Sequence, residues 1–372
     1  MTTRYVGIGG SDANNGLTWT TRKLTLNGVE DTPVVAGDMV YVGPGTYREL
    51  LTVDVSGAAG NPITYIGDYL GTSTDGVGGV VRITGSNNDQ TATRTNCITA
   101  TSKNYRTFTG FKMDITSQHI VNLATCQNWT IKKCHLDYAP AGNFTVNCTG
   151  ATQLDITIDS CYIRVSKNAA AILFSHSSTV DNSGHVVSNC IIFGGRVSST
   201  DGLRIARVGG VTVRNCLIDN CDGGVNVVTA LSVGQVATVN NCIIQWCTIG
   251  VKATTTAEFV ENYNDFYANG ADRSNVTTGA NSLTHPPLFD VRWFFQMVYA
   301  GAGPNHAKQL ISPFDLGSFS AILNVAGTSP TTTDMRGTAV QGAQREWGAL
   351  EYDSTLKIAG GGSGISRARV QG

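Results

Sequence analysis

The chain has 372 residues, 26 Lys and Arg against 27 Asp and Glu, a formal charge of -1, and charged residues at only 14% of positions. That balance excludes a nucleic-acid binder steered by a basic face, and no run approaches the ~20 apolar residues that a membrane-spanning helix needs. Gly fills 43 positions, well above its usual share of about 7%, while Glu and Lys are scarce, so composition predicts an all-β chain with many turns.

The opening residues Met1-Thr2-Thr3-Arg4-Tyr5-Val6 carry neither the basic nor the apolar region of a secretion signal. The expectation is a chain that is not secreted, or one whose leader has been removed. Residues 1–37 read as an N-terminal cap and the entry to a first structural unit.

From residue 38 to 283 the dominant signal is a repeat. Thr130–Leu136, Thr157–Ile163, Val186–Ile192, Thr212–Ile218 and Thr238–Ile244 align on Cys134, Cys161, Cys190, Cys216 and Cys242, which fall 27, 29, 26 and 26 residues apart. Each unit holds short β-branched runs broken by Asn or Gly, and none contains a helical stretch long enough for a βαβ crossover. A solenoid remains, with equivalent residues of successive coils stacked about 4.8 Å apart. At this period the segment makes about nine coils.

Stacking places the five cysteines in one column, read as small buried reduced thiols, with disulfides among some of the ten cysteines as the alternative. Their spacing suits no zinc site. Asn189, Asn215 and Asn241, just before the Cys, suit a left-handed bend and can hydrogen-bond up the stack. The residue after each Cys then faces outward: His135, Tyr162, Ile191, Leu217 and Ile243. The last four form an apolar stripe, expected either as a protein interface or as a face covered by a loop or by the C-terminal segment.

Candidate chemistry follows from the other faces. The third repeat position, Lys132, Asp159, Ser188, Arg214 and Asn240, holds no acidic cluster. Arg204, Asn226 and Lys252 share a face suited to contacting an anionic sugar. Aligning Gly202 with Gly224 stacks Asp201 over Gly223 and brings Asp222 into the adjoining coil, a carboxylate pair of the kind a glycosidase uses, with Arg204 close by. Asp before Gly is equally ordinary turn chemistry. His176 and His185 flank the polar segment 177–184 and read as solvated loop residues, while His119 and His135 have no partner positioned by sequence. Residues 284–353, with Trp293-Phe294-Phe295, are expected to cap the open end, and 354–372 to form a Gly-rich basic tail.

The repeat, with Gly10–Gly16, Ala36–Glu49 and Asn61–Tyr65 near the start and Ser312–Gly317 and Trp347–Tyr352 near the end, resembles the right-handed parallel β-helix superfamily of pectate-lyase-like proteins and phage tailspikes. Members commonly place an amphipathic helix before the first full coil. Here Leu24, Leu26 and Val29 are interrupted by Asn27-Gly28, so an irregular cap, or one supplied by a partner, is expected. The resemblance implies three functions. The first is a non-catalytic phage virion protein, tailspike-like or on the capsid surface, assembled as a homo-oligomer, with a trimer favoured, or with other virion proteins. The second is a secreted polysaccharide lyase or glycosidase using Asp201 and Asp222, with no cofactor unless Ca²⁺ serves a lyase. The third is a carbohydrate-binding adhesin. Neither nucleic acid nor membrane is an expected partner.

Overall fold

The computed structural model describes residues 1–284 except Pro33, Tyr138, 165–167, 181–182 and 195–198. The C-terminal cap and the tail expected from the sequence lie outside the described residues, save for residue 284. Three parallel sheets run the length of the molecule, of ten, nine and nine strands. The first sheet begins with Thr3–Val6 and ends with Phe259–Asn262, the second runs from Gly45–Tyr47 to Asp265–Tyr267, and the third from Leu51–Val53 to Ala271–Ser274. The chain visits the three in turn and so winds about nine coils. Because Thr3–Val6 pairs in register with Met39–Val42, the solenoid starts well before residue 38.

The repeat dictates this winding residue by residue. Along each strand alternate side chains face the interior, so Ile131, Ile158, Val187, Val213 and Val239 stack in one inward column of the first sheet. After that strand the chain must turn sharply into the second sheet. It does so through one left-handed residue, Lys133, Ser160, Asn189, Asn215 or Asn241, with φ of 52°, 54°, 54°, 52° and 55°. This conformation costs a residue bearing a Cβ roughly 1–2 kcal/mol, least for Asn. The Cys that follows points back inward, and its thiol donates to the carbonyl two residues earlier. The Sγ–O distances are 3.2, 3.3, 3.1, 3.2 and 3.3 Å at Cys134, Cys161, Cys190, Cys216 and Cys242. Cys therefore suits the position as a small apolar side chain that can still satisfy a bent backbone. All ten cysteines are free and buried, and Asn215 Nδ2 donates to Asn189 Oδ1 at 3.4 Å.

The N-terminal end differs from expectation. Asn27-Gly28 does not abolish the covering helix: Leu26–Glu30 forms one, with Thr25 as its N-cap accepting from Gly28 N at 2.9 Å. Gly is required there because a Cβ would sit 2.2 Å from Asp12 Oδ1. The Glu49 carboxylate receives the free N–H groups of Leu26 and Asn27 at 2.9 and 3.1 Å, supplying the acceptors that a helix start lacks. Leu26 and Val29 are buried over the first coil, so the chain caps itself. At the opposite end Glu261 takes the inward position above Val239. There it is satisfied by Arg273 Nε at 2.7 Å and Gly279 N at 2.6 Å.

Candidate functional site on the outer face of the second sheet

The outward positions of the second sheet form two columns. One contains Thr46, Arg82, Lys112, His135, Tyr162, Ile191, Leu217, Ile243 and Asp265. The other places Thr84, Asp114 and Asp137 in register, and further along Arg164, Phe193, Asp219 and Gln245. In a chain this poor in charge, Arg82, Lys112, Asp114, His135, Asp137 and Arg164 concentrate six ionisable groups on four consecutive coils.

Their mutual geometry is specific. Arg82 Nε lies 3.0 and 2.9 Å from the two oxygens of Asp114, and its Nη2 lies 2.8 Å from Oδ1. This grip fixes the guanidinium on the sheet. Lys112 Nζ is 3.7 Å from Asp114 Oδ2. One coil on, Asp137 lies 3.8 Å from His135 Nε2 and 3.8 Å from Arg164 Nη1. The ring of Tyr162 meets that of His135 edge-on with centroids 4.8 Å apart. Burial, then the nearby Asp137 carboxylate, push the Tyr162 phenol above its ordinary range. The result is an imidazole beside a carboxylate, flanked by three cations.

This cluster was missed in the sequence, although a signal was present: Lys112-Met113-Asp114, His135-Leu136-Asp137 and Leu217-Ile218-Asp219 share one alternation, with the apolar residue inward and Asp outward. These acids lie at the third residue after the Cys, as in Cys134 to Asp137 and Cys216 to Asp219, and not at the third repeat position or beside Arg204.

Beyond His135 the face turns apolar, as the repeat predicted. Tyr162, Ile191, Leu217 and Ile243 stand in register, but they are only 7%, 1%, 2% and 2% exposed. They are buried within the chain itself, so they do not form an open apolar surface. Among them Asp219 is also buried, and loss of solvent raises its carboxyl to about 6. The folded chain holds this proton more tightly than the unfolded one, so Asp219 costs stability as pH rises through about 6. Asp219→Asn is expected to raise the melting midpoint at pH 8 and to leave it almost unchanged at pH 4. Equal shifts at both pH values would contradict this account.

The third sheet carries the residues expected to touch a glycan. Arg204, Asn226 and Lys252 do stack as one outward column, between Leu173 and Ser274. Asp201 pairs with Gly223, but its carboxylate is engaged. Arg204 Nε and Nη2 each lie 2.7 Å from Asp201 Oδ2, and Asn226 Nδ2 lies 3.3 Å from Oδ1. Burial raises the Asp201 carboxyl, with Arg204 opposing that shift. Asp222 instead accepts from Ser199 N at 2.8 Å. Asp201 thus ties together Arg204 and Asn226 on neighbouring strands of this sheet, Asp222 holds the turn at Ser199, and Arg204 is half of an ion pair. His176 and His185, expected in a solvated loop, are buried. His185 stacks on Phe174 at 4.3 Å and accepts from Ile156 N at 3.1 Å. The reason is register: His185 occupies an inward position because Val186 pairs with Thr157. His119, left without a partner by sequence, stacks on Phe144 at 5.8 Å.

No protein-family profile and no curated protein matches the chain. Solved structures do. Pectate lyase Pel9A superposes with a TM-score of 0.60 over 95% of this chain and 97% of its own, at 13% identity. A rhamnogalacturonan lyase gives 0.55 over 72% and 74%, at 18% identity. At such identities the likeness is one of fold, and the parallel β-helix implied by the repeat is the fold of this chain.

Proposed function

We propose that the chain is a polysaccharide-cleaving enzyme acting on an acidic glycan bound along the outer face of the second sheet, with the chemistry at Lys112, His135 and Asp137. One observation carries the reading: Arg82, Lys112, Asp114, His135, Asp137 and Arg164 converge from four coils on a chain in which only 14% of residues are charged. β-Elimination from a uronate needs a base for the proton beside the carboxylate and cations to stabilise the charge that develops on that carboxylate. His135, placed beside Asp137, suits the first role. Arg82, Lys112 and Arg164 suit the second, and Arg82 is already oriented by Asp114. Among the described residues no cluster of three His, Cys, Asp or Glu side chains is spaced to hold a metal, and the reading requires none. The fold, shared with two polysaccharide lyases, agrees with this role without assigning it. One support of the virion reading was an exposed apolar stripe, and those side chains are buried; the basic tail it also drew on lies outside the described residues.

The test is incubation with polygalacturonate, alginate and other acidic polysaccharides, following the ultraviolet absorbance of unsaturated products and the release of reducing ends. His135→Ala and Lys112→Ala should each lower the rate by about 100-fold or more with unchanged far-ultraviolet circular dichroism. No product from any acidic polysaccharide, or full activity in both variants, ends this reading.

A further inference from the structure

The cationic end of this face holds an arrangement that reaches beyond the proposed chemistry: it shares Arg82 with that chemistry and adds Arg48 and Asp89. Between the strands Val81–Thr84 and Ile98–Thr101 the chain makes a loop pinched at its base, where Thr93 N donates to Gly85 O at 2.7 Å and Ser86 bridges Ala92. Asn88 stabilises the loop locally by accepting from Gln90 N and Thr91 N at 3.1 and 2.8 Å. The next residue, Asp89, is left-handed with φ of 63°, and its carboxylate bridges two arginines. Arg48 Nη1 and Nη2 reach Oδ1 and Oδ2 at 3.0 and 2.7 Å, and Arg82 Nη1 reaches Oδ1 at 2.5 Å.

We infer that Arg48 and Arg82 form an anion site occupied in the resting chain by the carboxylate of Asp89, which acts as an internal stand-in that an incoming carboxylate or sulfate group displaces. That the natural occupant belongs to an acidic glycan rests on the proposed function; the anion site itself does not.

Three features point to displacement rather than a fixed structural bridge. The Asp89 side chain is 47% exposed, so its ion pairs are screened and individually weak. Each arginine keeps a second anchor that would outlast the departure of Asp89: Arg48 Nη1 donates to Ser86 O at 2.8 Å, and Arg82 is gripped by Asp114. The paired guanidiniums would therefore stay in place as a preorganised clamp. Finally, Arg82 stands in the same outward column as Lys112 and His135, so an anion held there belongs to a ligand running along that column. Hydrogen bonding from Arg48, with Arg82 beside it, holds the Asp89 carboxyl at about 2. The stand-in stays ionised at ordinary pH, and ligand rather than protons must displace it.

The experiment uses the full chain and Asp89→Asn, which keeps a residue tolerant of the left-handed backbone. Inorganic sulfate is titrated while the Nε–Hε resonances of the arginines are followed, and polygalacturonate binding is measured in parallel. Asp89→Asn should bind both anions about fivefold more tightly, the change expected when two exposed ion pairs no longer compete. Adding Arg48→Ala should cancel the gain. Unchanged or weaker sulfate binding in Asp89→Asn overturns the inference. Tighter sulfate binding without cleavage of any polysaccharide would leave the anion site standing and remove the enzymatic reading; cleavage with unaltered sulfate binding would do the reverse.

Discussion

Glu30→Gln is expected to destabilise the folded chain by about 3–5 kcal/mol, the cost of leaving a buried charge without its partner. Arg106 occupies an inward position between Ile63 and Trp129, and its side chain is 0% exposed. Its Nη2 lies 2.8 and 2.7 Å from the two Glu30 oxygens, and its Nε donates to Val55 O at 2.8 Å. Tyr65 Oη donates to Glu30 Oε1 at 2.6 Å. A Gln amide would turn one oxygen into a donor facing other donors and would leave the guanidinium uncompensated. Because Glu30 lies on the cap helix, the loss should also loosen the cap over the first coil.

The complementary variant separates charge from shape. Glu30→Leu with Arg106→Leu and Tyr65→Phe removes the three side chains of the network together, leaving only the backbone groups Asp54 N and Val55 O without their partners, and buried ion pairs replaced by apolar groups are often near neutral in stability. It should recover most of what Glu30→Gln loses. Urea unfolding of the three proteins is the measurement. A cost below about 1 kcal/mol for Glu30→Gln would contradict the burial argument.

A second large effect concerns pH. Burial, with His176 nearby, depresses His185 from 6.5 to about 3. The folded chain therefore keeps the imidazole neutral while the unfolded chain takes up a proton below about 6.5. The stability this group contributes is fully present above pH 6.5 and is lost as pH falls toward 3. At about 1.4 kcal/mol per pKa unit, the loss has an upper bound on the order of 5 kcal/mol. Arg106 has Glu30 to balance it, whereas the ring of His185 meets Phe174, His176 and the Ile156 N–H, none of which compensates a positive charge. His185→Gln retains an acceptor for Ile156 and cannot take up a proton. Its stability should fall less between pH 7.5 and pH 4.5 than that of the wild type, as read by urea midpoints. Parallel falls in the two proteins would refute this, as would a His185 resonance titrating near pH 6.5.

The sequence by itself determined the architecture, because a solenoid is written by local repetition. The β-branched runs, the residue that bends left-handed and the inward Cys recur in five consecutive units, and each coil needs only its neighbours to pack against. The same repetition fixed which side chains face outward, including the stripe from Tyr162 to Ile243 and the column Arg204–Asn226–Lys252. What it did not determine was the environment of those side chains, since outward from a sheet is not the same as exposed to water. The stripe is buried, and the Asp201 carboxylate is consumed by Arg204. His185 lies in the core because a longer coil shifts where the chain re-enters the first sheet, and the acids at Asp114 and Asp137 gain meaning only beside Arg82, Lys112 and His135. Charge, burial and partnership are properties of several coils at once, decided by distances that no single repeat contains.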